Sequence, residues 1–425
     1  MKFLPFSTIR TRILVIAFFI LTFGIGYRLG EYRTSKSQSG VQVVVNQAAP
    51  STINVNFSLF WDVWQRLNRS YIDKTSLDAQ KMVWGAISGM VNSLNDPYTL
   101  FLPPKENTEF KQDLGGQFEG IGAQLDTKDG HIIIVAPLKG MPAEKAGVKA
   151  GDYVVKVDDV ETTGWTVAQA VAKIRGPRGT TVMLTLFREN EAKPLEISIV
   201  RNTITVSSVD SWVKSVSQVT EISGISSIQS FENNGKVAYI RLSRFGDRTN
   251  DEWTAAVKDL SSQYASSKDI KGFILDLRNN PGGYLESSVF IASEFIKTGI
   301  VVSQKNSDGS VQEYPVERKG LLLDIPMVVL INKGSASAAE IVAGALRDYK
   351  RATLVGETSF GKGSVQTPED LPDGAGLHIT TGKWLLPKGD SINKTGVTPD
   401  VLVPMDTLTA STDAQLAKAI EILLK

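Results

Sequence analysis

The sequence predicts a multidomain α/β chain: an N-terminal membrane helix, a helical segment, a compact β-rich domain and a larger α/β core. Three observations predict it. An uncharged apolar run, Ile13 to Tyr27, stands near the N-terminus. Short β-rich runs separated by Asp-Gly and Asp-Asp turns crowd residues 114–200. Beyond residue 235, apolar strands alternate with helical stretches, the pattern of parallel pairing with helices packed on the sheet.

Composition bounds the chemistry. With 46 Lys+Arg against 45 Asp+Glu the net charge is +1, so no global field favours nucleic acid. Cysteine is absent and histidine occurs twice, as His131 and His378. Disulfides, thiolate catalysis, cysteine-type zinc sites and a His-rich metal site are therefore excluded, and no metal or cofactor is expected. Any hydrolase built on this chain uses one of two imidazoles as its base, or none.

The elements follow in order. Residues 13–29 would make a helix about 25 Å long, just short of a comfortable span. Lys2, Arg10 and Arg12 precede the run, and Arg28 and Arg33 follow it. This charge pattern keeps the N-terminus in the cytoplasm and exports the remainder. An uncleaved anchor fits the length, and the body then stands outside the cell membrane, extracellular or periplasmic. A cleaved signal peptide, releasing a secreted body, is the alternative. Residues 31–55 read as an exposed spacer. Phe57, Phe60, Trp61, Trp64 and Leu67 recur at helical spacing, and a second helix runs from about Ser76 to Leu94; the aromatics read as core. Strands are expected at Ile132–Val135, Tyr153–Val157, Thr181–Phe187 and Leu195–Val200, with helices at Ala143–Ala146 and Val167–Ile174. Residues 206–235, polar and Ser-rich, read as a connector or flexible insertion. The core then alternates strand Lys236–Leu242, helix Asp251–Ala265, strand Gly272–Leu277, helix Glu286–Lys297, strand Met327–Ile331, helix Ala338–Arg347 and strand Ala352–Val355. Leu416, Ala419, Ile420 and Leu423 give a C-terminal helix that packs on the core or dimerises.

Function in such sheets concentrates where strands turn into helices. Two junctions carry the chemistry. Ile274-Leu-Asp-Leu-Arg-Asn-Asn-Pro-Gly-Gly283 runs a strand into a glycine turn whose amides can approach a ligand closely. Val328-Val-Leu-Ile-Asn-Lys-Gly-Ser-Ala-Ser-Ala-Ala-Glu-Ile341 places serines at a helix N-terminus, where free amides and the dipole favour an oxyanion. Ser335 or Ser337 reads equally as a plain N-cap. A third segment, Gly361-Lys-Gly-Ser-Val-Gln366, sets one lysine between glycines. That lysine is either solvated or, buried in a nonpolar pocket, neutral enough to take a proton from a serine. His378 lies in a strand and reads as structural. Asp348, about 16 Å further along the serine-bearing helix, cannot orient that serine directly and is also structural.

Together these segments resemble the C-terminal processing (tail-specific) serine proteases. The resemblance implies a crotonase/ClpP-like α/β protease core, with Ser337 as nucleophile, Lys362 as base and Gln366 orienting the lysine. It further implies an oxyanion hole from Gly282 or Gly283 together with the Ala338 amide. Trp84-Gly-Ala-Ile-Ser-Gly-Met and Ser93-Leu-Asn-Asp-Pro-Tyr-Thr are similar to the family's N-terminal helical segment. Gly122 to about Arg201 is similar to its inserted PDZ module, with carboxylate capture at the amides of Gly120, Ile121 and Gly122. Arg175 resembles a family position between PDZ and protease core and is expected to couple ligand occupancy to activity. The chain departs from the family in residues 206–235 and at Asn393-Lys394, neither expected to touch the catalytic residues.

The resulting domain division is 1–30 cytoplasmic tip and anchor, 31–55 linker, 56–103 helical segment, 104–203 PDZ domain, 204–404 protease core and 405–425 C-terminal helix. The function expected is a membrane-anchored exported serine endopeptidase acting on protein or peptide substrates with accessible C-terminal tails. Its partners are those substrates, the membrane through residues 13–29, and a second copy if the C-terminal helix dimerises. An inactive PDZ scaffold is the alternative. Acyl-CoA chemistry in a similar fold lacks a basic nucleotide-binding stretch and leaves the PDZ-like unit unexplained.

Overall fold

The computed structural model describes residues 55–189, 191, 193–223, 235–404 and 413–425. The expected anchor at 13–29 lies outside them. Among the described residues, no helix is long and apolar enough to cross a membrane. The chain divides into two units after Leu77.

In the first unit, the helix Ser58–Ser70 ends near a single turn, Lys74–Ser76. The expected helical spacing is present, but its aromatics are not core. Phe57 and Trp61 stay exposed, and no residue of the helix is buried. Phe60, Trp61 and Trp64 pack on one another along the helix itself, edge-on or tilted, with centroids 5.0 to 6.1 Å apart.

The second unit is built on a six-stranded sheet in the order Val209–Ser215, Lys236–Leu242, Ile270–Asp276, Met327–Ile331, Thr353–Gly356, Val401–Leu402. The first pair is antiparallel and every later pair is parallel. Strand alternation sorts the side chains to two faces. Ile240, Phe273, Leu275, Val329 and Ile331 pack against helices Thr249–Ser266 and Ala338–Asp348 through Trp253, Val257, Ile341 and Val342. Tyr239, Ile274, Val328 and Leu330 pack on the other side against Val216 and Val219 and against Leu416, Ala419 and Ile420 of the C-terminal helix Ala414–Leu424. That helix therefore docks on its own core.

Two expectations need correction. Residues 209–223 are not a connector: Val209–Ser215 is an edge strand and Val216–Ser223 a helix. The strand forms because Trp212 stacks on Tyr239 at 4.5 Å while the backbone pairs with Lys236–Leu242. A second, antiparallel sheet also went unread. Gly376–Leu385 pairs with Leu100–Leu102, Ile300–Asn306 and Ser364–Asp370, and Ile300–Asn306 pairs with Val311–Pro315.

The β-rich domain forms a sheet of Ala123–Lys128, His131–Pro137, Tyr153–Val157, Thr181–Phe187 and Leu195–Val200, with Val160–Glu161 paired to Tyr153–Val157. Ile132, Ile134, Val154, Leu184 and Ile199 fill its own core. Ala123–Lys128 ends the sheet, paired on one side only. The helix Val167–Ile174, capped by Thr166 and Gln169, packs beside it. A two-stranded neck, Gln117–Gly120 with Asn202–Thr205, connects the domain to the core.

Candidate active site

Strand Met327–Ile331 leads into the turn that carries both candidate serines, and the structure separates their roles. Ser335 is fully buried; its hydroxyl donates to the Leu277 carbonyl at 2.8 Å and accepts from the Asn332 amide at 3.0 Å. It is consumed in holding the turn. Ser337 is the N-cap of helix Ala338–Asp348, with φ 54° and ψ −117°. A positive φ in a non-glycine residue is strained and persists only where the surroundings enforce it. Here it sets a half-buried side chain at the positive end of an eleven-residue helix.

The enforcement comes from Glu340, which sequence reasoning did not single out. Its carboxylate is fully buried and takes four donors. One oxygen accepts from the Ser337 amide at 2.8 Å and the Lys362 amide at 2.9 Å. The other accepts from the Gly361 amide at 2.7 Å and the Ser359 hydroxyl at 2.5 Å. Such charge-assisted bonds make a buried carboxylate tolerable. Serine and lysine segments are thus fastened to a single side chain. The only local signal was the glutamate three residues after an N-cap serine, a capping-box spacing.

Lys362 itself is half-buried. Among the described residues its amine makes no hydrogen bond or ion pair; Nζ stands over the Tyr98 ring, 5.3 Å from its centroid. Burial lowers its pKa below the ordinary lysine value, and the Glu340 charge only partly opposes this. No hydrogen bond joins Nζ to the Ser337 hydroxyl; in unliganded sites such contacts are commonly long and tighten with substrate. Gln366 donates to Ser364 at 2.9 Å and Thr380 at 3.3 Å, and no bond joins it to Lys362. The Asn393-Lys394 turn is closer to the site than expected: the Lys394 amide donates to the Gly361 carbonyl at 2.8 Å, and a Cβ at Gly363 would overlap Asn393.

The glycine turn after strand Ile270–Asp276 faces the serine. A Cβ on Gly282 would sit 2.7 Å from the Ser337 Cβ and 3.0 Å from the Ala338 nitrogen, so only glycine permits this approach. Gly282 and Gly283 both have positive φ, 97° and 140°. The Gly282 amide is already given to Asn280 Oδ1 at 2.8 Å. Among the described residues, the amides of Gly283 and Ala338 donate to nothing. Buried Asn280 fixes the turn: its side chain donates to the Leu242 carbonyl at 2.7 Å, and its carbonyl accepts from Ala336 at 2.9 Å. Behind it, Arg278 is clamped between Asp276 at 2.6 Å and Asp413 at 2.8 Å.

The other expected residues lie apart from this cleft. Asp348 pairs with Arg347 and accepts from the Lys388 amide, a structural role. His378 packs on Phe110 at 4.7 Å, and burial lowers its pKa. In the β-rich domain, Gly120 ends a neck strand, and the Ile121 and Gly122 carbonyls accept from Ala143 and Leu138. Among the described residues their amides, Ile121 and Gly122, donate to nothing, beside the open edge of Ala123–Lys128. Arg175 stands over the Phe118 ring at 4.3 Å, its Cγ beside Gly120. Among the described residues no group of ≥ 3 His, Asp or Glu could hold a metal.

Comparison with known proteins places these features in families. Residues 236–403 match peptidase family S41, residues 133–188 a PDZ domain, and residues 19–105 the activating protease CtpB N-terminal domain. The chain is 38% identical over 366 residues to the carboxy-terminal processing protease CtpA of Bacillus subtilis (strain 168), covering 85% of this chain and 72% of that one. It is 38% identical over 345 residues to the carboxy-terminal-processing protease of Bartonella bacilliformis, covering 81% and 74%. Among solved structures, a photosystem II D1 C-terminal processing protease is 28% identical with a TM-score of 0.49, over 88% of this chain and 98% of that chain.

Proposed function

This chain belongs to the carboxy-terminal processing proteases of peptidase family S41, and for its serine-type peptidase chemistry we propose a Ser337–Lys362 dyad. The neutral Lys362 amine takes the Ser337 hydroxyl proton as the oxygen attacks the scissile carbonyl. The oxyanion forms toward the Gly283 and Ala338 amides, and the ammonium returns its proton to the leaving amine. Water, activated by the same amine, then releases the acyl group from Ser337. Of the two glycines, Gly283 is preferred because the Gly282 amide is already spent on Asn280. Gln366 acts on the lysine by fixing the start of its strand through Ser364 rather than by direct contact.

The observation that carries this reading is the shared Glu340 oxygen beneath Ser337 and Lys362, with an amine nearby whose pKa burial lowers. The PDZ domain selects tails: an extended peptide adds to the open edge of Ala123–Lys128, and its terminal carboxylate meets the amides of Gly120, Ile121 and Gly122. Arg175 reports that occupancy to the core. Residues 13–29 anchor the chain, with the catalytic body exported; their apolarity and flanking basic residues support this.

Degradation of β-casein tests the dyad. The wild type should digest it, while Ser337→Ala and Lys362→Ala should lose activity by at least about 10²-fold. Equal digestion by wild type and Ser337→Ala, or none by either, would overturn the assignment. Membrane fractionation of full-length and 1–30-deleted protein tests the anchor.

A further inference from the structure

The segment Asn95-Asp-Pro-Tyr-Thr99 belongs to the helical region that precedes the PDZ domain, yet it reaches the lysine. Asp96 accepts from the Tyr98 amide at 3.1 Å and the Thr99 hydroxyl at 2.7 Å, and Thr99 accepts from the Thr380 amide at 3.0 Å. Leu100–Leu102 then pairs with Gly376–His378. The same long strand, Gly376–Leu385, holds Ser364–Asp370, which begins two residues after Lys362. One strand therefore anchors both the segment bearing the lysine and the segment bearing the tyrosine that faces it.

Lys362 lies between two glycines, so its own neighbours supply no side chains to shield it. The shield comes from other elements. The titratable groups facing it are Glu340 from the nucleophile helix, His378 from the long strand, and Tyr98, with Asp96 behind the tyrosine. Glu340 lies beyond ion-pair distance of the amine among the described residues, and His378 is turned onto Phe110. Among the described residues the Tyr98 ring alone stands over Nζ, at 5.3 Å. We propose that Tyr98 is a positioning residue for Lys362: its ring is the wall that keeps water off Nζ and fixes the amine within the cleft.

Two effects of the ring oppose each other. A cation over an aromatic face is favoured, which would hold the lysine charged. Exclusion of water acts the other way, in the same direction as the burial that lowers the Lys362 pKa. In the proposed role the ring's exclusion of water outweighs its attraction for the ammonium, and that role needs the ring rather than the phenol hydroxyl. The proposal rests on Lys362 being the base.

The test is the rate at which a small fluorophosphonate labels Ser337 in the full-length protein, followed from neutral to alkaline pH. Tyr98→Ala should label about tenfold more slowly at neutral pH and approach the wild-type rate at alkaline pH, its ascending limb displaced upward. Tyr98→Phe should restore the wild-type profile. If Tyr98→Ala does not fold, Tyr98→Gln, similar in length but hydrated, should give the same displacement. An undisplaced limb in the opened variant, or Phe behaving like Ala, would overturn the proposal. Lys362→Ala, run in parallel, separates the two readings: if it is inert, an undisplaced Tyr98→Ala limb overturns the wall alone, and if it labels like wild type, the base assignment falls with it.

Discussion

A lysine amine with no acceptor and no ion-pair partner is unfavourable when its side chain is buried, because the ammonium gives up hydration without compensation. Half-buried Lys362, with neither kind of partner among the described residues and only the Glu340 charge partly opposing, approaches that position, and burial lowers its pKa. Between the lowered value and the ordinary lysine value, the unfolded chain binds more protons than the folded one. Folding stability contributed by this group therefore rises with pH across that window and levels off above it. Lys362→Met, of similar shape without the amine, should stabilise the fold at neutral pH by about 0.5–2 kcal/mol while abolishing proteolysis, and should remove that slope. Thermal unfolding of both proteins from pH 6 to 10 measures it; a less stable Met variant at neutral pH would contradict the account. The wild-type pH–rate profile should ascend through the same lowered pKa. Ser337 and Lys362 are legible in the sequence as candidates because each sits in a short motif whose glycines and helix start are local. Glu340 and Asn280 are not, because their functions are contacts across 21 or 22 residues and across 38 residues. A lone carboxylate or amide in a motif carries no mark of such distant partners.

Elements were legible where their own pattern sufficed. Tyr153–Val157, Thr181–Phe187 and Met327–Ile331 have the expected bounds, as does the helix Val167–Ile174, whose capping Thr and Gln are local. Val209–Ser215 was lost because Asp210 and Ser211 dilute its apolar rhythm, and its stability is borrowed from Tyr239 across the sheet. The C-terminal helix was legible, but not its connection to the glycine turn. Asp413 caps that helix by accepting from the Leu416 amide at 3.0 Å, and it also holds Arg278, four residues before Gly282. Burial alone would raise the Asp413 pKa, but hydrogen bonds from Arg278 outweigh it and hold the carboxyl low. Its contribution is therefore complete above the ordinary aspartate range and is lost as pH falls through the lowered value. Asp413→Asn should cost about 1–2 kcal/mol at pH 7, and the gap from wild type should narrow toward pH 3. A constant gap in melting temperature across that range would show that Arg278 does not depend on the charge. Because Arg278 positions the turn that offers the Gly283 amide, the variant should also lose turnover more than substrate affinity.

On the scale of the molecule, the proposed tail binding in the PDZ domain needs a physical route to the sheet beyond. Contacts are continuous along one route. Arg175 stacks on Phe118 of the neck strand beside Gly120, and the neck closes where the Val206 amide donates to Gly116 at 2.9 Å. Just before it, Arg244 donates to the Asp113 carbonyl at 2.8 Å and the Asp247 amide to Leu114 at 3.2 Å. A Cβ at Gly246 would run into that Leu114 carbonyl, so the two segments touch backbone to backbone. Between Arg244 and Asp247, Phe245 exchanges bonds with the glycine turn, accepting from Tyr284 at 2.8 Å and donating to Gly282 at 2.9 Å. Burial, with the Asp247 carboxylate adding to it, pushes the Tyr284 pKa up to about 12. Continuity alone does not establish coupling; a change at one end must alter the equilibrium at the other. Arg175→Ala removes the stack without touching the cleft. A peptide ending in a free carboxylate should stimulate β-casein cleavage by the wild type, and the variant should bind that peptide with similar affinity yet gain several-fold less activity from it. Basal rate and stimulation both equal to wild type would detach Arg175 from regulation, whereas lost peptide binding would make it part of the tail pocket instead.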